Sequence, residues 1–266
     1  THAVAIRPNP VQALVPGINA RGLRTMSPVA RPQGTGFGKE RRWRFVPLLE
    51  CDDANGRICG AAASLCLSSR AEGGGMAAAV GVLDPGFYST AVADWATELT
   101  VRLRQGVFLY EAGVAYYASF GNETMPVGAI ITNRGHEAAT FTVRMRVEDT
   151  AGTTIWRHEW SGNVAPGADQ KISADWPITD AQVAPYTVTT ELLQNTRVAD
   201  RLQHQVTLWK PAPAPIFMTR REGSFYLGDT PWYAHGVNYM PSSGIGIEDN
   251  PYFEYWFDPQ PYDPDI

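Results

Sequence analysis

Residues 141 to 148, "FTVRMRVE", alternate without a break. Phe141, Val143, Met145 and Val147 fall on one side, and Thr142, Arg144, Arg146 and Glu148 on the other. A period of two belongs to a β-strand with one buried and one wet face. Comparable runs come at roughly 12-residue intervals: "VFLYEAGVAYYASF", "MPVGAIITNRG", "ATFTVRMRVEDTAG", "TTIWRHEWSGNVAPG", "DQKISADWPI", "YTVTTELLQNTRVAD" and "RLQHQVTLWKP". The groups "TNRGHE", "EDTAGT" and "VAPGAD" separate them as turns. About seven strands in about 100 residues predict an immunoglobulin-like β-sandwich over 107–210. The Cys…Trp…Cys spacing of antibody domains is missing, so the expectation is a non-antibody member of that architecture.

Upstream the texture differs. "RRWRFVPLLECDDANGRICGAAASLCLSSR" places two apolar runs about Asn55-Gly56, a hairpin signal. "GGGMAAAVGVLD" (73–84) follows as a strand. In "STAVADWATELTVRLRQG" (89–106), Val92, Trp95, Leu99, Val101 and Leu103 lie near helical spacing. Ser89 or Thr90 can cap the start and Gly106 the end. Residues 1–40 carry Pro at 8, 10, 16, 28 and 32, and they predict an irregular, wrapping arm. The division is therefore a small α+β unit (1–106), the sandwich (107–210), and a linker with a further segment (211–266). The fold class is mainly β.

Composition narrows the function classes. The net charge of −5 gives no general attraction for phosphate, so nucleic acid is not an expected partner. No run of about 18 apolar residues occurs, so no membrane-spanning helix is expected. The start, "THAVAIRPNPVQ", lacks the pattern of a signal peptide, and compartment stays open. The positive charge is almost all arginine; Lys39, Lys171 and Lys210 are the lysines. Cys51, Cys59 and Cys66 have neither an even count nor CxxC spacing, against a disulfide framework or a zinc site. Cys51 and Cys59 can face each other across the hairpin, or all three are small buried strand residues. The five histidines show no HExxH and no i, i+4 pair, so neither a metal nor another cofactor is expected.

"KPAPAPIF" (210–217) reads as a semi-rigid spacer, followed by "SFYLGDTPWYAHGVNYMPSS" (224–243). Phe225, Leu227, Gly228 and Pro231 fill an apolar hairpin of the type F-x-L-[NG]-G-x-P, and Gly236-Val237-Asn238-Tyr239 a short strand. This pattern resembles the lead-in to the catalytic (β/α)8 barrel of clan A glycoside hydrolases, with Gly228-Asp229 where Asn-Gly is commoner. A sandwich immediately upstream is similar to the domain order of β-galactosidase-like and mannanase-like enzymes. The resemblance implies a bacterial, carbohydrate-acting parent with a barrel as the natural partner of these domains. It also implies two catalytic glutamates, one after the fourth barrel strand and one on the seventh. The chain extends only to the first of these strands, so no catalytic residue carries over and the expected role is accessory.

What remains is binding chemistry. On the resemblance, His235, Asn238 and Tyr239 end the first barrel strand and are candidate sugar contacts; His235 as a hydrogen-bonded core residue is the competing reading. Tyr252, Tyr255 and Trp256 belong to an aromatic tail whose rings can stack on pyranose faces or simply pack. The tail's carboxylates, Glu248 to Asp265, read as a solvated loop, and "YDPDI" as extended or irregular rather than helical. Trp156 and Trp160, four apart on one strand and so on one face, are an alternative sugar platform, with core packing as the competing role. A carbohydrate-binding module and a protein-interaction sandwich are the other two readings.

Overall fold

The computed structural model describes residues 2–25, 33–120, 122–178, 181–210, 214 and 216–233. The chain is mainly β and divides into two compact units, Thr1–Leu208 and Trp209–Ile266.

The first unit opens with an antiparallel five-stranded sheet. Its strands are β1 (His2–Pro8), β2 (Ala20–Arg24), β3 (Trp43–Asp52), β4 (Ile58–Ser68) and β5 (Met76–Val80), in the order β2-β1-β3-β4-β5. The expected irregular arm is thus corrected: residues 2–24 form a strand pair. The prolines do not break it, because Pro8 ends β1 and Pro10 and Pro16 lie in the connection. Pro47 sits inside β3, at a register shift against β4, where the ladder is already interrupted. The sheet curls until its two margins meet at one corner. Thr25 bridges Val82, and Leu83 N donates to Arg24 O at 2.9 Å.

Helix α1 (Thr90–Gln105) covers this sheet. Val92, Trp95 and Leu99 form its buried stripe against Leu48, Leu65 and Leu67, and Trp95 Nε1 donates to Pro16 O at 2.8 Å. Each such side chain contributes roughly 1.5–3 kcal/mol by leaving water. Gly106 stops the helix at φ 73°; a β-carbon there would sit 2.2 Å from Gly135 N.

The sandwich follows. It comprises β6 (Val107–Val114), β7 (Ala118–Phe120), β8 (Thr124–Asn133), β9 (Ala139–Glu148), β10 (Thr154–Val164), β11 (Asp169–Pro177), β12 (Pro185–Gln194) and β13 (Arg197–Trp209). One sheet runs β10-β9-β12-β13-β7 and the other β11-β8-β6. The alternation along 141–148 holds in β9: Phe141, Val143, Met145 and Val147 are buried, and Arg144 is exposed. The stretch "YTVTTELLQNTRVAD" turns out to be two strands. Asn195 and Thr196 both have positive φ (48° and 68°), the backbone of a tight two-residue hairpin turn.

β6 is buried along its whole length because both of its faces are covered. Val107 and Leu109 enter the sandwich core, and Phe108 and Tyr110 enter the core beneath α1. Arginines tie the two layers. Arg44 Nη2 donates to Asp200 Oδ1 at 2.9 Å and Nη1 to Oδ2 at 2.5 Å, with both side chains inaccessible. Asp200 also accepts from Leu109 N (2.9 Å) and Arg201 N (2.8 Å), so both of its oxygens are satisfied. Arg102 donates to Ala199 O and Val107 O, and Arg134 to Gly74 O and Ser68 O.

In the second unit, β14 (Met218–Arg221), β15 (Ser224–Leu227) and β16 (Thr230–Trp232) form a three-stranded antiparallel sheet. Gly223 (φ 81°) and Gly228 (φ 64°) lie in its two turns.

Candidate functional site

The candidate sugar contacts His235, Asn238, Tyr239, Tyr252, Tyr255 and Trp256 lie outside the described residues, as does "YDPDI". What is described is the hairpin before them. Phe225 pairs with Trp232, Tyr226 with Pro231 and Leu227 with Thr230. Residues directly opposite share a face, so Met218, Phe225, Leu227 and Trp232 make one apolar face, all exposed. Phe225 and Trp232 meet edge to face, centroids 6.5 Å apart. On the other face the Arg221 guanidinium lies 4.5 Å over the Tyr226 ring.

Trp156 and Trp160 lie on β10, an edge strand, and share a half-buried face. Between them stands His158, exposed, which the sequence reading passed over although it occupies the intervening same-face position. Trp156 and His158 are nearly parallel (11°) at 5.8 Å, and His158 and Trp160 are 4.5 Å apart at 55°. Trp156 continues to buried Trp176 (6.4 Å), which meets Tyr186 edge to face at 5.8 Å. Trp160 Nε1 donates to Ser173 O of β11, the facing edge of the other sheet, at 3.3 Å. The ladder therefore has one margin in the sandwich core and one toward solvent, and it is fixed at both ends.

The described acidic groups with low exposure are engaged structurally. Glu111 accepts from Lys39 N (2.9 Å) and Arg41 N (2.8 Å), which fastens residues 33–41 across β6. Glu50 accepts from Asn9 (2.9 Å) and faces Arg7, which also binds Asp52. Burial raises the Glu50 pKa; Arg7 opposes this and Asp52 adds to it. Burial also lowers His204 to about 4, with Lys39 and Arg41 contributing; its Nε2 accepts from Val114 N at 3.3 Å. Lys39 is lowered chiefly by burial, and its Nζ donates to Ala115 O at 2.9 Å. Among the described residues no group of three or more His, Cys, Asp or Glu side chains could hold a metal ion. Cys51, Cys59 and Cys66 form no disulfide with one another; Cys51 is buried and Cys66 half-buried, but Cys59 is exposed, since Cys51 pairs with Gly60 and the register shift before Ile58 leaves Cys59 as the extra residue of a bulge.

No protein-family model matches this chain, and no curated protein matches it. Among solved structures, a β-glucuronidase from glycoside hydrolase family 2 is 15% identical over 53% of this chain and 14% of its own, with a TM-score of 0.33. A Bacteroides uniformis β-glucuronidase is 16% identical over 52% of this chain and 16% of its own, also at 0.33. A Pseudomonas fluorescens alkylpurine DNA glycosylase, bound to DNA containing an abasic site analog, is 13% identical over 42% of this chain and 33% of its own, at 0.31. The chain thus spans a third or less of these proteins. Likenesses at this level do not bear on chemistry.

Proposed function

We propose that this chain is a non-catalytic region of a bacterial glycoside hydrolase, with an immunoglobulin-like sandwich that braces a catalytic (β/α)8 barrel and a C-terminal stretch that supplies one edge of the sugar site. The observation that carries the reading is the hairpin at 224–232. The residues that resemble the clan A lead-in do pair as β15 and β16, with Gly228 in a left-handed turn conformation that side chains rarely adopt. The upstream architecture suits a brace. Its two layers share β6 and are joined by the Arg44–Asp200 pair, so the sandwich offers a stiff support. The test is hydrolysis of aryl glycosides by this chain: turnover should equal the protein-free rate, and saturable turnover overturns the reading.

A second reading, a carbohydrate-binding module, is favoured by one feature, the partly exposed Trp156–His158–Trp160 ladder. Rings so placed contact the apolar faces of sugars. Oligosaccharide titration followed by Trp fluorescence separates the two. A saturable change at millimolar ligand, abolished in Trp160→Ala, supports the module; a flat response removes it.

A further inference from the structure

An open groove of about 1380 Å³ runs between the C-terminal half of α1, the loop at 134–138 with the start of β9, and the β12–β13 turn. Its charge is one-sided. Arg102, Arg104, Arg134 and Arg197 line it, against Glu98 and Glu137, in a chain whose net charge is −5. The C-terminus of α1 contributes only about half a negative charge, so four arginines against two glutamates leave a positive field. Arg102 and Arg134 are held in the floor by carbonyls of neighbouring strands and loops, and Arg102 Nη1 and Arg134 Nε are buried without hydrogen-bond partners. Arg104 and Arg197 are exposed at the walls, and neither is in an ion pair among the described residues. Arg104 and Arg197 are placed to take carboxylates in bidentate fashion, while Arg102 and Arg134, already bonded to carbonyls, add fixed positive charge beneath them, an arrangement that a ligand with repeated carboxylates matches.

From this we infer that the groove binds an acidic, carboxylate-bearing oligosaccharide. The inference rests on the carbohydrate reading above and adds the ligand's charge and place. The groove's size suits an extended chain rather than one small molecule, as single-ligand pockets are about 300–1,000 Å³. The rest of its lining is mixed: hydroxyl and amide groups such as Thr97, Thr100 and Asn195, which suit sugar hydroxyls, stand beside apolar side chains such as Leu14, Val101 and Leu103. Among the described residues no Phe, Tyr or Trp lines it, and His136 is a single ring, so a single-stranded nucleic acid would find no run of stacking platforms.

The test is calorimetric titration of the full chain with oligogalacturonate, a neutral cello-oligosaccharide and poly-glutamate. Oligogalacturonate should bind most tightly, weaken as salt rises, and lose at least tenfold in affinity in the double variant Arg104→Ser/Arg197→Ser. Both side chains are exposed, so the variant should keep the wild-type melting temperature. Equal binding of the neutral sugar, equal binding of poly-glutamate, or undiminished binding by the double variant each overturns the inference. Neutral-sugar binding alone defeats the groove and leaves the carbohydrate reading standing. That reading falls separately, if this chain itself turns over aryl glycosides.

Discussion

At the residue scale, a few buried charges are the positions where losing one partner costs most. Arg44 and Asp200 lie 156 positions apart, yet their side chains are 1% and 0% accessible and doubly bonded. Removing one partner strands the other in a site that water cannot reach. Asp200→Asn should therefore cost about 3–5 kcal/mol, read as a fall in the urea midpoint. Arg44→Met/Asp200→Leu, which removes both charges, should recover most of that loss. His204 acts in the opposite sense, since its folded pKa of about 4 lies below the ordinary 6.5. The unfolded chain then binds the proton first, so the stability this neutral histidine carries is complete above pH 6.5 and is lost as pH falls toward 4. Thermal scans should show that decline, and His204→Gln should flatten it.

At the element scale, periodicity proved readable wherever one face is wet. The helix expected over 89–106 spans Thr90–Gln105, and "TFTVRMRV" lies within β9, because in each case burial on one side imprints its own period. The strands within residues 2–24 are not legible from proline content, because what matters is position: Pro8, Pro10 and Pro16 lie at the end of β1 and in its connection to β2. The aromatic ladder was half legible. Trp156 and Trp160 stand out in the sequence, while His158 is noticed only once strand pairing puts it between them. Gly106 is both a helix stop and a close approach, since its φ is 73° and a β-carbon would collide with Gly135 N. Gly106→Ala should lower the melting temperature by more than the loss of about 1 kcal/mol expected from backbone strain alone. Gly56→Ala, in an open turn with nothing within 4 Å, should show only the strain.

At the scale of the whole molecule, the arginine ties could not be read from a single sequence, because their partners are backbone carbonyls brought close only by folding. The basic groove was hidden for the same reason: its arginines come from a helix, a loop and a hairpin turn. The hairpin at 224–232 was legible through its turn residues, and the proposed glycoside hydrolase reading rests on it. On that proposal these layers brace a catalytic barrel and carry no catalysis of their own. Its most direct test is an aryl-glycosidase assay run side by side on this 266-residue chain and on the same chain joined to a clan A catalytic barrel. The expected result is turnover by the joined protein and none above background by the chain. Turnover by the chain itself, or none by the joined protein on any glycoside, would contradict it.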